Sequence, residues 1–167
     1  MMKTAPMIAA AMTAALLAGC TGGAKEEAAP TGPVSLQAGQ WEIKTVVESG
    51  RNLDKGKAVF PIEAGTTETS KVCLAVADVA KPQPTFFVPA MTSCTYTNDY
   101  FSDGTLQAQI TCQKDGMSGA IGATVRGTYT ATTLDAQQIV ETRLASDGDV
   151  SITSKFTGKR IGDCPAG

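Results

Sequence analysis

The chain contains no histidine. That removes the commonest general base and the commonest neutral metal ligand, and with them His-based triads and His-containing zinc sites. Carboxylate chemistry stays open. Large aromatics are sparse, with one Trp and three Tyr in 167 residues, so the core is expected to rest on Val, Ile, Leu and Ala. Cationic runs are missing: 14 Lys and Arg face 16 Asp and Glu. Nucleic acid is therefore not an expected partner, and no polybasic patch points to a membrane surface. No apolar run is long enough to span a bilayer. The cysteines lack any CxxC spacing, which argues against zinc-ribbon and thioredoxin-like chemistry. No cofactor is expected.

What the first residues do contain is an export pattern. Lys3 supplies one positive charge, and residues 5–17 are apolar apart from Thr13, the size of a signal-peptide core. A buried helix opening the domain would need a polar face at helical period, and none is present. Leu17-Ala18-Gly19-Cys20 resembles the lipobox of bacterial lipoprotein precursors. The resemblance implies cleavage before Cys20, a diacylglyceryl group on its sulfur and palmitate-type acylation of the new amino group. Each buried methylene contributes about 0.8 kcal/mol, so two or three acyl chains hold where one does not. Thr21 follows the cysteine, where an Asp would mark retention at the inner membrane. The resemblance therefore implies an outer-membrane anchor facing the periplasm. Residues 20–35 hold Gly, Ala, Pro, Thr and the cluster Lys25-Glu26-Glu27, with no periodicity. They read as a flexible tether, and residues 36–167 as a single domain. Without residues 1–19, the remaining 148 carry 13 basic and 16 acidic side chains.

Four cysteines remain beyond Cys20: Cys73, Cys94, Cys112 and Cys164, with 20, 17 and 51 residues between them. An even number in an exported chain reads as two disulfides. Three pairings are open. Cys94 and Cys112 flank an expected hairpin, which favours that bridge and leaves Cys73 for Cys164.

The domain reads as all-β. Trp41, Ile43 and Thr45 share a strand face, and a short strand is expected at Ala58-Val59-Phe60. Residues 70–76 suit a strand or a short helix, and residues 74–80 one or two helical turns. Three prolines, Pro82, Pro84 and Pro89, then break the chain around Phe86-Phe87-Val88. Next come alternating runs: Cys94, Tyr96, Asn98 and Tyr100; Leu106, Ala108, Ile110 and Cys112; Val125, Gly127, Tyr129 and Ala131; Val140, Thr142 and Leu144; Val150, Ile152, Ser154 and Phe156. Asp103-Gly104, Asp115-Gly116 and Asp147-Gly148 mark turns. The pattern predicts an antiparallel meander forming a curved sheet or small barrel, with one face polar. Aromatic belts are absent from the strands, so an outer-membrane barrel is not expected.

In order along the chain, Gln40-Trp41-Glu42-Ile43 (with Gly39 directly before), Cys73, Cys94, Cys112, Gly127-Thr128-Tyr129 and Lys159-Arg160-Ile161-Gly162-Asp163-Cys164 form a series. It resembles the bacterial domain-of-unknown-function family numbered 3617, over roughly residues 36–165. The resemblance implies an exported domain of the Gram-negative envelope, often a lipoprotein, with disulfides. It implies no catalytic residue.

Function is expected to be non-enzymatic: binding of a small apolar molecule, a lipid or an envelope protein. The alternative is an inhibitor or scaffold for an envelope enzyme, and a carboxylate-based hydrolase ranks below both. Phe86 and Phe87, in a proline-constrained loop, are candidate lip residues of a binding surface. The competing and favoured reading makes them a cap over the open end of the barrel. Arg160 and Asp163, beside Cys164, are a second candidate surface, with Arg160 paired to a carboxylate over a sheet edge. Glu42, Glu48, Glu141 and Asp163 are not paired by any pattern. Ser154 and Lys155 are adjacent in a strand and face opposite ways, which argues against a dyad. Asp99 and Asp103 read as solvent-face and turn residues. Asn98, Asp147 and Asp149 lack the spacing of a calcium loop. Non-reducing mass spectrometry of protein taken from its native membrane checks these expectations. It should find Cys20 acylated and the other four cysteines oxidised.

Overall fold

The computed structural model describes residues 34–165. The signal segment, Cys20 and the tether up to residue 33 lie outside the described residues. Seven strands make one antiparallel sheet: β1 (Gly39–Asn52), β2 (Thr67–Leu74), β3 (Ser93–Ser102), β4 (Thr105–Gln113), β5 (Gly119–Tyr129), β6 (Thr133–Leu144) and β7 (Val150–Gly162). Their spatial order is β2-β1-β7-β6-β5-β4-β3. The meander runs from β3 to β7, and β1 then pairs with β7 and with β2. The expected all-β antiparallel class holds. The closed small barrel does not: β2 and β3 are edges and do not pair with each other.

Alternation explains which face is buried. Leu106, Ala108, Ile110 and Cys112 on β4, and Val150, Ile152, Ser154 and Phe156 on β7, all point inward as expected. Two runs depart from expectation. On β3 the register slips between Tyr96 and Asn98, leaving Thr97 as an extra residue opposite β4. A bulge reverses the alternation beyond it. Phe101 therefore turns inward, whereas Tyr100 is 55 % exposed. β6 begins at Thr133, well ahead of Ile139, because Gln138 is an inward residue whose amide is satisfied inside the fold.

A single sheet has one inner face and needs a second layer to cover it. Among the described residues no α-helix supplies that layer. Residues 75–92, joining edge strand β2 to the opposite edge strand β3, cross the inner face as a strap. Its only regular structure is two 3-10 turns, Val76–Asp78 and Pro84–Phe86. The first lies inside the stretch expected to be helical. Phe86 and Phe87 are 2 % and 0 % exposed and pack with Trp41, Phe101 and Phe156, centroids 5.2–6.1 Å apart. The core is chiefly aliphatic, as expected, and Trp41, Phe86, Phe87 and Phe156 form an aromatic cluster within it.

Hydrogen bonds fasten the strap. Gln138 Nε2 donates to Phe87 O at 2.7 Å, and the Tyr96 hydroxyl donates to Pro82 O. Burial raises the Tyr96 pKa, so the phenol stays a donor. Lys81 pairs with Asp99 at 2.8 Å at the surface. The disulfides are Cys73–Cys164 and Cys94–Cys112. Cys73 and Cys94 stand just outside the two ends of the strap, so each end is cross-linked at its own sheet edge. Cys94 and Cys112 are direct partners across β3 and β4.

The chain-entropy account ranks the two bridges by the loop each closes. Sequence separations are 91 for Cys73–Cys164 and 18 for Cys94–Cys112. Replacing both cysteines of the first bridge by Ser should cost about 1 kcal/mol more than doing so for the second, from about 4–5 against about 3 kcal/mol. Urea unfolding of the two double variants measures the difference.

Candidate functional site

The aromatic plug covers only one end of the inner face. A second cluster of Val47, Val150 and Ile152, with Ala58, Val59, Phe60 and Ile62, covers the other. Between them lies a cleft of about 320 Å³. Its floor is the inner face of four strands: Thr45 and Val47 from β1, Glu68 and Ser70 from β2, Gln138 and Val140 from β6, and Ile152 and Ser154 from β7. Its walls are two connections. Val59, Phe60 and Pro61 come from the β1–β2 loop, and Val88, Pro89, Ala90 and Met91 from the strap.

Residues 58–60, expected as a strand, are instead this wall. They join no strand ladder, and Val59 N donates to Gly148 O. Apolar side chains there cover the sheet's face and do not extend its edge.

Polarity in the cleft is placed on the floor. Ser154 is 2 % exposed and Gln138 6 %. Gln138 is committed to Phe87 O. At the rim, the Lys114 ammonium sits 4.9 Å from the Phe60 ring centroid. Among the described residues it has no carboxylate within ion-pair distance. A cavity of this size with apolar walls and a few converging polar groups is the ordinary form of a small-molecule site.

The β1–β2 loop wall is held by one carboxylate. Asp54 Oδ1 accepts from Gly56 N at 2.8 Å, and its two oxygens accept from Gly148 N and Asp149 N at 2.8–2.9 Å. Gly56 and Gly148 meet so closely that a Cβ on Gly56 would lie 2.5 Å from Gly148 N. Gly148 also holds φ +123°. Asp147-Gly148 is thus part of a docking loop as well as a reversal of the chain. Asp149 faces the sheet, where its Oδ1 accepts from Thr142 Oγ1 and Leu144 N. Thr142 Oγ1 in turn accepts from Val150 N.

The other sequence-expected residues fall as follows. Phe86 and Phe87 are buried as a plug over the inner face of an open sheet, not as a cap on a barrel end, and they offer no exposed lip. Arg160 and Asp163 do pair, through Arg160 Nη2 and Asp163 Oδ1, and Arg160 Nε donates to Ala38 O at 2.7 Å. β7 lies between β1 and β6, so Arg160 covers no sheet edge and fixes the chain's entry into β1. Asp103 sits in its turn with φ +50°. Glu42, Glu48, Glu141 and Asp163 are exposed, and Ser154 is buried while Lys155 is exposed, on opposite faces. Among the described residues no cluster of three or more His, Cys, Asp or Glu could hold a metal ion. A curved sheet offers a concave pocket in general, but the sequence does not mark the residues that line this one. Its one sequence signal was Ser154 between Ile152 and Phe156 on a buried face.

Three backbone N–H donors hold the Asp54 carboxyl below its usual range, Asp149 first among them. A carboxyl lowered by folding contributes stability above its unfolded pKa of about 3.9, and that contribution is lost as pH falls through the folded value. The melting temperature should therefore drop between pH 5 and pH 2 by less in Asp54→Asn than in the parent. Thermal scans across that window, followed by circular dichroism, test it.

Neither a curated protein nor a solved structure matches the chain. A family model does, over residues 36–164, and its description is a protein of unknown function, DUF3617. That span takes in all seven strands, the strap and both disulfides, and the chain accordingly belongs to the DUF3617 family.

Proposed function

We propose that this is a non-catalytic, lipid-anchored binding domain of the cell envelope, and that it carries a small apolar or lipid-like molecule in the cleft between strap and β1–β2 loop. The anchor is Cys20, acylated after export, with the following residues spacing the domain from the outer membrane on its periplasmic side. The observation that carries the reading is the cleft itself: about 320 Å³, opening over a floor that is part apolar and part polar, with hydroxyl and amide groups and the Glu68 carboxylate at its β2 side.

The apolar body of the ligand lies against Val47, Phe60, Val88, Met91, Val140 and Ile152. Its polar end turns to Thr45, Ser70 and Ser154 on the floor. Lys114 at the rim favours an anionic group there, since its charge has no carboxylate partner. Filling the cleft from its floor leaves the aromatic plug untouched. Val140 lines the cleft and is only partly buried, so a larger side chain there has room.

Native and denaturing mass spectrometry of the membrane-purified protein should differ by one released small molecule. The emptied protein should bind the anionic apolar probe 8-anilinonaphthalene-1-sulfonate. Val140→Phe should weaken that binding about tenfold or more, a loss of about 1.4 kcal/mol, with little change in melting temperature. A protein with no released species, whose probe binding is the same in both forms, contradicts a carrier role. It would shift the assignment to an envelope-protein partner.

A further inference from the structure

Three polar side chains are buried on the inner face of the sheet. Gln138, Thr142 and Ser154 are 6 %, 1 % and 2 % exposed. A buried polar group is costly unless it is hydrogen-bonded. The three differ in how far the protein meets that demand.

Thr142 is fully committed. Its Oγ1 donates to Asp149 Oδ1 and accepts from Val150 N, both at 2.8 Å. Gln138 is half committed. The group that meets Phe87 O must be its Nε2 amide, because a carbonyl oxygen only accepts, and this fixes which way the side chain is turned. Among the described residues no donor reaches the other end of that amide, Oε1. Ser154 is uncommitted, since its Oγ has no hydrogen-bond partner among the described residues. No wholly enclosed side-chain oxygen or nitrogen there lacks a partner. Both atoms therefore keep a little accessible surface, and the space their residues line is the inner cleft.

The two residues are neighbours. Ser154 of β7 and Gln138 of β6 are direct partners in register. Apolar residues surround them: Val47 lies across from Ser154 on β1, the pair Val140 and Ile152 comes next on one side, and the pair Ala136 and Phe156 on the other. An apolar residue at 154 would have continued the buried run of Val150, Ile152 and Phe156. Packing does not call for a hydroxyl there.

The chemistry of the pair selects its partner. Gln138 Oε1 accepts only, whereas a serine hydroxyl can donate. A group that serves both must donate to the first and accept from the second. A neutral hydroxyl does so with one oxygen. A carboxylate only accepts, and it would set its charge against Oε1. An ether only accepts as well. In surroundings this apolar an unmade hydrogen bond is felt strongly, and a site built around a hydroxyl rejects an analogue that lacks it.

We infer that the ligand of the cleft is a hydroxylated apolar molecule, an aliphatic alcohol by chemical class, whose hydroxyl sits on the floor between Ser154 Oγ and Gln138 Oε1. The inference rests on the carrier reading of the same cleft and narrows it. Ser154 is then the residue that sets specificity, and an anionic group of the ligand belongs at the rim beside Lys114, not on the floor.

The test compares 1-octanol with its isomer heptyl methyl ether, in titrations of ¹⁵N-labelled full-length protein followed by amide NMR. 1-Octanol should shift the backbone amides of Gln138, Val140, Ile152 and Ser154, and the side-chain amide of Gln138. It should bind about tenfold or more tighter than the ether. Ser154→Ala should weaken 1-octanol about tenfold. The same variant should keep or raise the melting temperature, because it removes a hydroxyl that the protein does not pair. A serine that served only the fold would lower it on replacement. Equal binding of the two isomers at these amides leaves the carrier reading standing and overturns the hydroxyl inference. Unchanged 1-octanol binding by Ser154→Ala overturns it too, as does a lower melting temperature in that variant. If neither isomer moves a cleft amide, the carrier reading itself fails and the inference falls with it.

Discussion

A lone seven-stranded sheet cannot bury its inner face by itself, and everything else in this fold follows from how that face is covered. The cover is an irregular strap, residues 75–92, and its centre is the buried pair Phe86 and Phe87. Full burial of a phenylalanine contributes about 1.5–3 kcal/mol. The backbone of the strap must also be satisfied beneath the surface, since a buried carbonyl without a donor costs about 1–3 kcal/mol. Gln138 provides that donor for Phe87. One amide thereby joins the strap to the middle of β6, and the polar residue is at home on an apolar face.

Such a strap pays its ordering entropy without the internal ladder of a helix or strand. Cross-links at both ends reduce what must be ordered. Cys73 and Cys94 bracket the segment, each bridged at its own edge of the sheet. The arrangement also explains why the cleft exists. The strap's aromatics fill one end of the face, the β1–β2 loop covers the other, and neither reaches the middle of β1, β6 and β7. Asp54 positions the loop from outside the sheet, through N–H groups of a hairpin some ninety residues away in sequence. The cleft is bounded by two non-repetitive segments: the strap, fastened by Gln138, Tyr96 and the Lys81–Asp99 pair, and the β1–β2 loop, held by Asp54.

The meander was readable because β4, β5 and β7 alternate cleanly and their turns carry Asp-Gly or glycine. The disulfides were readable from an even cysteine count around a hairpin. Other features were hidden for identifiable reasons. A bulge at Thr97 is invisible to a period-two reading, so Tyr100 and Phe101 exchange faces. The first half of β6 holds Asp135, Gln137 and Gln138, which look like loop until Gln138 is seen to bond across the core. Val59 and Phe60 resemble a strand because β-rich composition also suits a segment lying over a sheet. The cleft draws its residues from four strands and two loops, and no local window contains it.

Native-state hydrogen exchange tests most directly whether the strap is part of the core or a lid laid on it. Phe86 N and Phe87 N donate to Gln83 O and Pro84 O within the strap. As core, these two amides should exchange with the same free energy as the central amides of β5 and β6, and with the same denaturant dependence, marking one cooperative unit. Much faster exchange of Phe86 and Phe87, by local opening while the sheet stays protected, would contradict it. The sheet would then be stable without its cover.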